Sequence, residues 1–88
     1  MAYKITYSKA FKKHYKSLSD FEKKQTKNKI KIFVEDPRHP SLRSKKIQGA
    51  DGLWEYSINM DIRIIWFYEG CDLIILLDIG HHNILSKY

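Results

Sequence analysis

Two strongly apolar segments, IRIIWFY (Ile62–Tyr68) and DLIILLDI (Asp72–Ile79), are joined by the short polar run EGCD, Glu69 to Asp72. Both have strand length and are rich in β-branched and aromatic residues. A connection this short leaves no room for a crossover, so the two strands are expected to be antiparallel neighbours. The first is apolar on nearly both faces. A strand of that kind needs cover on two sides, which limits the chain to layered folds.

The rest of the chain supplies those layers. LWEYSIN, Leu53 to Asn59, alternates apolar and polar residues, and Met60-Asp61 turns it into the next strand. RSKKIQG reads as an edge strand ending at Gly49, with Ala50-Asp51-Gly52 as a turn. YKITY, Tyr3 to Tyr7, is a further short strand. Ser8 can cap a helix that aligns Phe11, Tyr15 and Leu18 on one face and Lys9, Lys12, Lys13 and Lys16 on the other. SDFE, Ser19 to Glu22, has the capping-box pattern and opens a second helix, Asp20 to Glu35, with Phe21, Ile30, Phe33 and Val34 as its apolar side. Pro37 ends that helix, because the residue before a proline avoids the helical region. DPRHPSLR, Asp36 to Arg43, is then a loop.

The order β-α-α-β-β-β-β predicts a single α+β domain over residues 1–88. It is a two-layer sandwich, with the N-terminal strand and helical hairpin packed on an antiparallel sheet. The tail residues Ile84-Leu85 are expected to cover part of the sheet's other face.

The turn EGCD also sets an expected register. Centred on Gly70-Cys71, it pairs Tyr68 with Leu73 and places Arg63 opposite Asp78, on one face with Ile65, Phe67, Ile74 and Leu76. An arginine on an apolar strand needs an anion, since an unpaired buried charge is costly. Asp78 is the expected partner. A substrate phosphate is a compatible second one, because a guanidinium has five donors.

Charge narrows the partners. Sixteen Lys and Arg against ten Asp and Glu give a net +6, which favours polyanions such as nucleic acid. The chain is 43% hydrophobic and 14% aromatic, too rich in both for a disordered polypeptide. Its one cysteine, Cys71, cannot form an internal disulfide, and the N-terminus lacks a signal-like run, so a reducing cytoplasm is expected. The apolar runs are far shorter than the roughly 20 residues that cross a bilayer.

The polar residues near the strand ends are Arg43, Lys45, Lys46, Glu55, Arg63, His81 and His82. They suit RNA cleavage by internal attack. That reaction needs a base for the ribose 2′-OH, cations for the charge on the phosphorane, and an acid for the leaving 5′-oxygen. Of the two histidines, strand alternation puts His82 on the face of Arg63. Glu55 joins that face if the Asn59 turn has three residues, and the opposite face if it has two. One of Lys45 and Lys46 points the same way. No cofactor and no metal are expected. His81 and His82 point to opposite sides, His14 and His39 lie on other elements, and zinc generally takes three or four ligands. Cys71 sits between acidic residues, which disfavour a thiolate.

The segments FVEDPRHPSLRSKKIQGADGLWEYSINMDIRIIWFYEG and LLDIGHHNILSKY carry a further signal. In order and spacing, GLWE, D-x-R-I-x-W and G-x-H resemble the RelE/ParE toxin superfamily of type II toxin–antitoxin systems, especially its RelE- and YafQ-like mRNA interferases. The likeness runs from the Phe11-x-x-x-Tyr15-x-x-Leu18 helix to the tail. It implies mRNA cleavage in the ribosomal A site and neutralisation by a small acidic antitoxin. Arg63 matches the family arginine expected to stabilise the phosphate. His82, or His81 with the tail shifted by one, matches the histidine expected as acid or base. Arg43, Lys45 and Lys46 fall in the basic segment expected to hold RNA. RelE-like sites often use a tyrosine near the C-terminus; here that place holds histidine, or Tyr88 at the very end. The superfamily also contains ParE-like toxins that share the fold and inhibit DNA gyrase without catalysis, which is the alternative function. The nuclease alone needs Arg63, His82 and the lysines to converge on one basic patch.

Overall fold

The computed structural model describes residues 3–88. Along the chain lie β1 (Lys4–Tyr7), α1 (Lys9–Lys16), α2 (Asp20–Glu35), β2 (Lys45–Lys46), β3 (Trp54–Ser57), β4 (Ile62–Tyr68) and β5 (Leu73–His81). A short 3-10 turn, Pro40–Leu42, precedes β2, and a 3-10 segment, His82–Lys87, follows β5. The sheet order is β1-β5-β4-β3-β2. β1 runs parallel to β5, and the other pairs are antiparallel. This is the α+β architecture expected from the element order.

Local chemistry explains the helix ends. The Ser8 hydroxyl accepts from the Phe11 N–H at 3.0 Å and starts α1. The Ser19 hydroxyl accepts from the Glu22 N–H at 3.1 Å, while the Glu22 carboxylate accepts from the Ser19 N–H at 2.9 Å. Those bonds hold the Glu22 carboxyl below its ordinary pKa. Before Pro37, Asp36 is extended at φ −151° and ends α2. The face that α2 buries runs through Thr26, Ile30 and Phe33. Phe21, expected on that stripe, is 70% exposed. At 100° per residue it lies about 140° around the helix from Thr26.

The helices cover one face of the sheet. There Phe33 stacks on Tyr56 at 4.6 Å and meets the edge of Trp66 at 4.8 Å. Ile62, Ile64, Ile74, Leu76 and Ile79 are fully buried around them. Truncating a ring like that of Phe33 costs about 3–5 kcal/mol, a large share of what so short a chain can hold. On the other face Ile47, Ile65 and Ile84 form a second cluster with Leu85 and Tyr88 against it. The tail therefore covers the second face, as the doubly apolar β4 requires.

The register differs from the expected one. Tyr68 pairs with Ile74 rather than Leu73, and Arg63 pairs with Gly80 rather than Asp78. Ile65 faces Asp78 while Trp66 faces Leu76, so Leu77 is an extra residue, a bulge in β5. The shifted turn pairing sends Ile74 and Leu76 to the helix side with Trp66, and the bulge then pairs Asp78 with Ile65, which stays on the tail side. β5 also runs on through Gly80 to His81, where the glycine was expected to stop it. A Cβ at Gly80 would lie 3.1 Å from Ile84 Cδ1, so the missing side chain lets the tail fold back over the strand end.

Candidate functional site

Arg63 sits on the tail side of β4 and is only partly exposed. Its Nη1 donates to the Asn59 carbonyl at 2.9 Å and to the Ile62 carbonyl at 3.3 Å. Its Nε lies 3.7 Å from Glu55 Oε1. The expected ion pair with Asp78 does not form. The turn shifts the pairing by one residue and the bulge by one more, which carries that carboxylate two ladder positions away, and Glu55 takes its place. The pairing Ser57↔Arg63 selects the three-residue turn and puts Glu55, which is buried, on the same face.

The guanidinium borders a cavity of about 190 Å³ lined by Lys29, Ser41, Arg43, Ser57, Asn59 and Arg63 among others, with no carboxylate in its wall. Lys29 Nζ donates to the Ser41 carbonyl at 3.2 Å. Arg43 ends the 3-10 turn at φ 54°, in the left-handed region that a non-glycine residue enters at a cost of about 1–2 kcal/mol. That turn brings the third cation to the cavity. Three cationic side chains border this cavity, with Glu55 beside one of them, and the two N–H groups on Arg63 Nη2 have no partner among the described residues.

The edge strand divides its lysines. Lys45 pairs with Glu55 and shares the face of Arg63. Lys46 pairs with Trp54, and its ammonium lies over that indole, 5.6 Å from the centroid, on the other face. Lys29 was not expected. On α2 it reads as one lysine among several, and only the fold brings it beside Arg43.

The histidines separate too. His81 pairs with Ile62 and is on the helix side, across the sheet from Arg63. Its Nδ1 donates to Asp61, so its pKa rises, through that bond first. The same bond holds the Asp61 carboxyl below its ordinary range. His82 begins the 3-10 segment and is exposed. Its backbone N–H donates to Asp61 Oδ1 at 3.4 Å, and its ring has no hydrogen bond among the described residues. His82 follows Gly80, the ladder partner of Arg63, by two residues, so both lie at one end of the sheet. No imidazole lines the cavity of Arg63, so the expected single patch of guanidinium, imidazole and lysines does not form there.

One polar cluster was not anticipated. Asp78 is 2% exposed, and its carboxylate accepts from His14 Nδ1 at 2.6 Å, from the Tyr88 hydroxyl at 2.9 Å and from the Ile79 N–H at 2.8 Å. Burial, followed by the bond to Asp78, pushes the Tyr88 hydroxyl up to about 12. The sequence signal was the carboxylate itself. A lone Asp in a buried strand must find donors. Its two side-chain donors lie 64 and 10 residues away, beyond any local pattern.

Among the described residues no three His, Cys, Asp or Glu side chains group to hold a metal. No described helix is long and apolar enough to cross a membrane.

Comparison with known proteins places this geometry. Residues 5–85 match the sequence model for the ParE toxin of the type II toxin–antitoxin system parDE. No curated protein sequence matches the chain. Among solved structures, the fold is similar to the E. coli DinJ–YafQ toxin–antitoxin complex, with a TM-score of 0.78 and 17% identity over 97% of this chain and 98% of that one. It is also similar to the archaeal RelE–RelB complex of Pyrococcus horikoshii, with a TM-score of 0.73 and 19% identity over 92% and 96% of the two chains. The RelB–RelE antitoxin–toxin complex of Methanococcus jannaschii gives a TM-score of 0.74 and 23% identity over 93% and 95%.

Proposed function

The chain belongs to the ParE toxin family of type II toxin–antitoxin systems, and from that premise we propose that it is an endoribonuclease cutting mRNA on the ribosome. The observation that carries this reading is Arg63. Its guanidinium is fixed at Nη1 and Nε, open at Nη2, and joined by Arg43 and Lys29 around a cavity without acids. That is a seat for a phosphodiester.

In the proposed reaction the ribose 2′-OH attacks the adjacent phosphorus and loses its proton to solvent water. The P–O bond to the 5′-oxygen breaks, that oxygen takes a proton, and a 2′,3′-cyclic phosphate remains. The nucleophile is part of the substrate, so the protein has to hold charge and move protons. Arg63 and Arg43 stabilise the phosphorane. Glu55, beside Nε, aims Arg63, and Lys45 on the same face holds the RNA backbone. His82, with its ring exposed and free at the same end of the sheet, is the acid for the leaving oxygen.

The proposed partner is an acidic antitoxin. An apolar groove of about 420 Å³ lined by Tyr7, Phe11, Tyr15 and Ile30 lies between the hairpin and the edge strand β1. Lys12, Lys16 and Lys27 rim it, which suits an amphipathic acidic segment.

The test is expression from a tightly repressed promoter, with mRNA followed by primer extension and plasmid supercoiling followed in parallel. Codon-phased cuts support the nuclease. Intact mRNA with blocked gyrase rejects it in favour of the non-catalytic ParE mode.

A further inference from the structure

A second cavity, of about 280 Å³, opens between α1 and the C-terminal 3-10 segment. Its lining includes His14, Ser17, Gly80, His81, Asn83 and Lys87. Both imidazoles are held in the same way, with Nδ1 donating to a carboxylate: His14 to Asp78 and His81 to Asp61. This fixes the tautomer and leaves Nε2 of each ring as the free nitrogen. An imidazole aimed by a carboxylate is the arrangement proteins use where a ring must meet a ligand.

We propose that this cavity is a second phosphate site, where His14, His81 and Lys87 hold a phosphodiester flanking the one at Arg63. The proposal rests on the nuclease reading for its RNA ligand, and three observations support the anion. First, both carboxylates already accept hydrogen bonds from donors of this chain. Asp78 is buried with three donors, and Asp61 accepts from the His81 ring and the His82 N–H. Second, the bond to Asp61 raises the pKa of His81 and so favours a cationic ring. Third, a metal is the poorer occupant, because Lys87 would repel it and no third nitrogen, sulfur or carboxylate ligand groups with the two rings among the described residues. At about 30 Å³ per water, the volume equals about nine waters, more than a phosphate group needs.

The placement explains why this is a different phosphate from the one at Arg63. Ile62 faces His81 and Arg63 faces Gly80, so successive β4 residues put the two sites on opposite faces. Gly80 belongs to both. It pairs with Arg63 and lines the second cavity, and it raises no side chain between them. A single strand crossing this end of the sheet can touch both.

The test uses the full purified chain and the ring ¹⁵N signals of its histidines. The probes are inorganic phosphate and a short RNA with 2′-O-methyl riboses, which cannot be cut. Both probes should shift the His14 and His81 signals. Binding should tighten as pH falls through the raised pKa of His81, which Asp61 and Glu22 face, while Asp78 and Tyr88 face His14. His14→Gln and the surface change Lys87→Ala should each weaken binding of both probes about tenfold, the worth of one charge-assisted hydrogen bond. Unmoved ring signals, or full affinity in both variants, would overturn the site. If the rings respond to phosphate but the protein cuts no mRNA, the nuclease reading falls and the phosphate site stands. If it cuts mRNA and the rings stay silent, the reverse holds.

Discussion

Asp78→Ala should be among the most damaging single changes in this chain. The carboxylate is 2% exposed and joins three elements: His14 of α1, Ile79 of β5 and Tyr88 at the end of the tail. A hydrogen bond to a charged group is worth about 1.5–3 kcal/mol, so three give a gross loss of about 4–9 kcal/mol. Relief of the cost of burying the charge offsets several kcal/mol of that. His14 is 37% exposed in its side chain and can turn to water, whereas the Ile79 N–H cannot. The net expectation is about 3 kcal/mol. At about 4–8 °C per kcal/mol for a domain of this size, Tm falls by about 12–24 °C. Tyr88→Phe removes one donor and should cost about 1–1.5 kcal/mol. In the double variant Tyr88 no longer has a carboxylate to lose, so the two effects should fall short of additive by about 1 kcal/mol. Urea unfolding followed by circular dichroism measures all three, with the midpoint moving and the slope unchanged. An Asp78→Ala loss below about 0.5 kcal/mol, or strict additivity with Tyr88→Phe, would refute the idea that this carboxylate ties helix, strand and tail together.

Two further outcomes follow from the same physics. The Tyr56 hydroxyl is buried without a partner among the described residues, and burial holds its pKa well above the ordinary value, so Tyr56→Phe should be neutral or raise Tm slightly, because it removes an unsatisfied polar atom and keeps the ring on Phe33. A clear drop in Tm would mean that the hydroxyl has a partner. The exposed pair of His81 and Asp61 gives a pH signature. His81 is raised when folded, so its contribution is complete below about pH 6.5 and fades as pH climbs through the raised value. Asp61 is lowered, so its contribution is complete above about pH 4 and fades as pH falls through the lowered value. Histidine NMR titrations should show the His81 midpoint fall toward 6.5 in Asp61→Asn; an unchanged midpoint would break the link.

Much of the fold was legible because its signals are local. SDFE and Pro37 mark α2 from Asp20 to Glu35, and the short turns force the meander. The register was not legible, because LIILL is apolar at every position. Sliding it by one residue changes nothing in its pattern, so the bulge at Leu77 leaves no mark. The bulge and the one-residue shift at the turn together moved Asp78 away from Arg63 and changed the partner of each. Gly80 reads as a stop in the sequence because its packing under Ile84 depends on a tail that folds back. Glu55 was legible up to two alternatives, and the turn length chose between them. His14 and Lys29 were invisible as site residues, since each acquires its neighbours only when a helix docks.

Primer extension on cellular mRNA, comparing the wild-type chain with Arg63→Lys, tests the central claim most directly. Lysine keeps a cation beside Glu55, so the fold should survive, but it removes the unpaired Nη2 donors of a side chain that lines the cavity. The account predicts codon-phased cuts by the wild type and a loss of about 10²–10³ in their rate for the variant, with both proteins folded. Equal cutting by the two, or no cutting by the wild type while gyrase is inhibited, would contradict it.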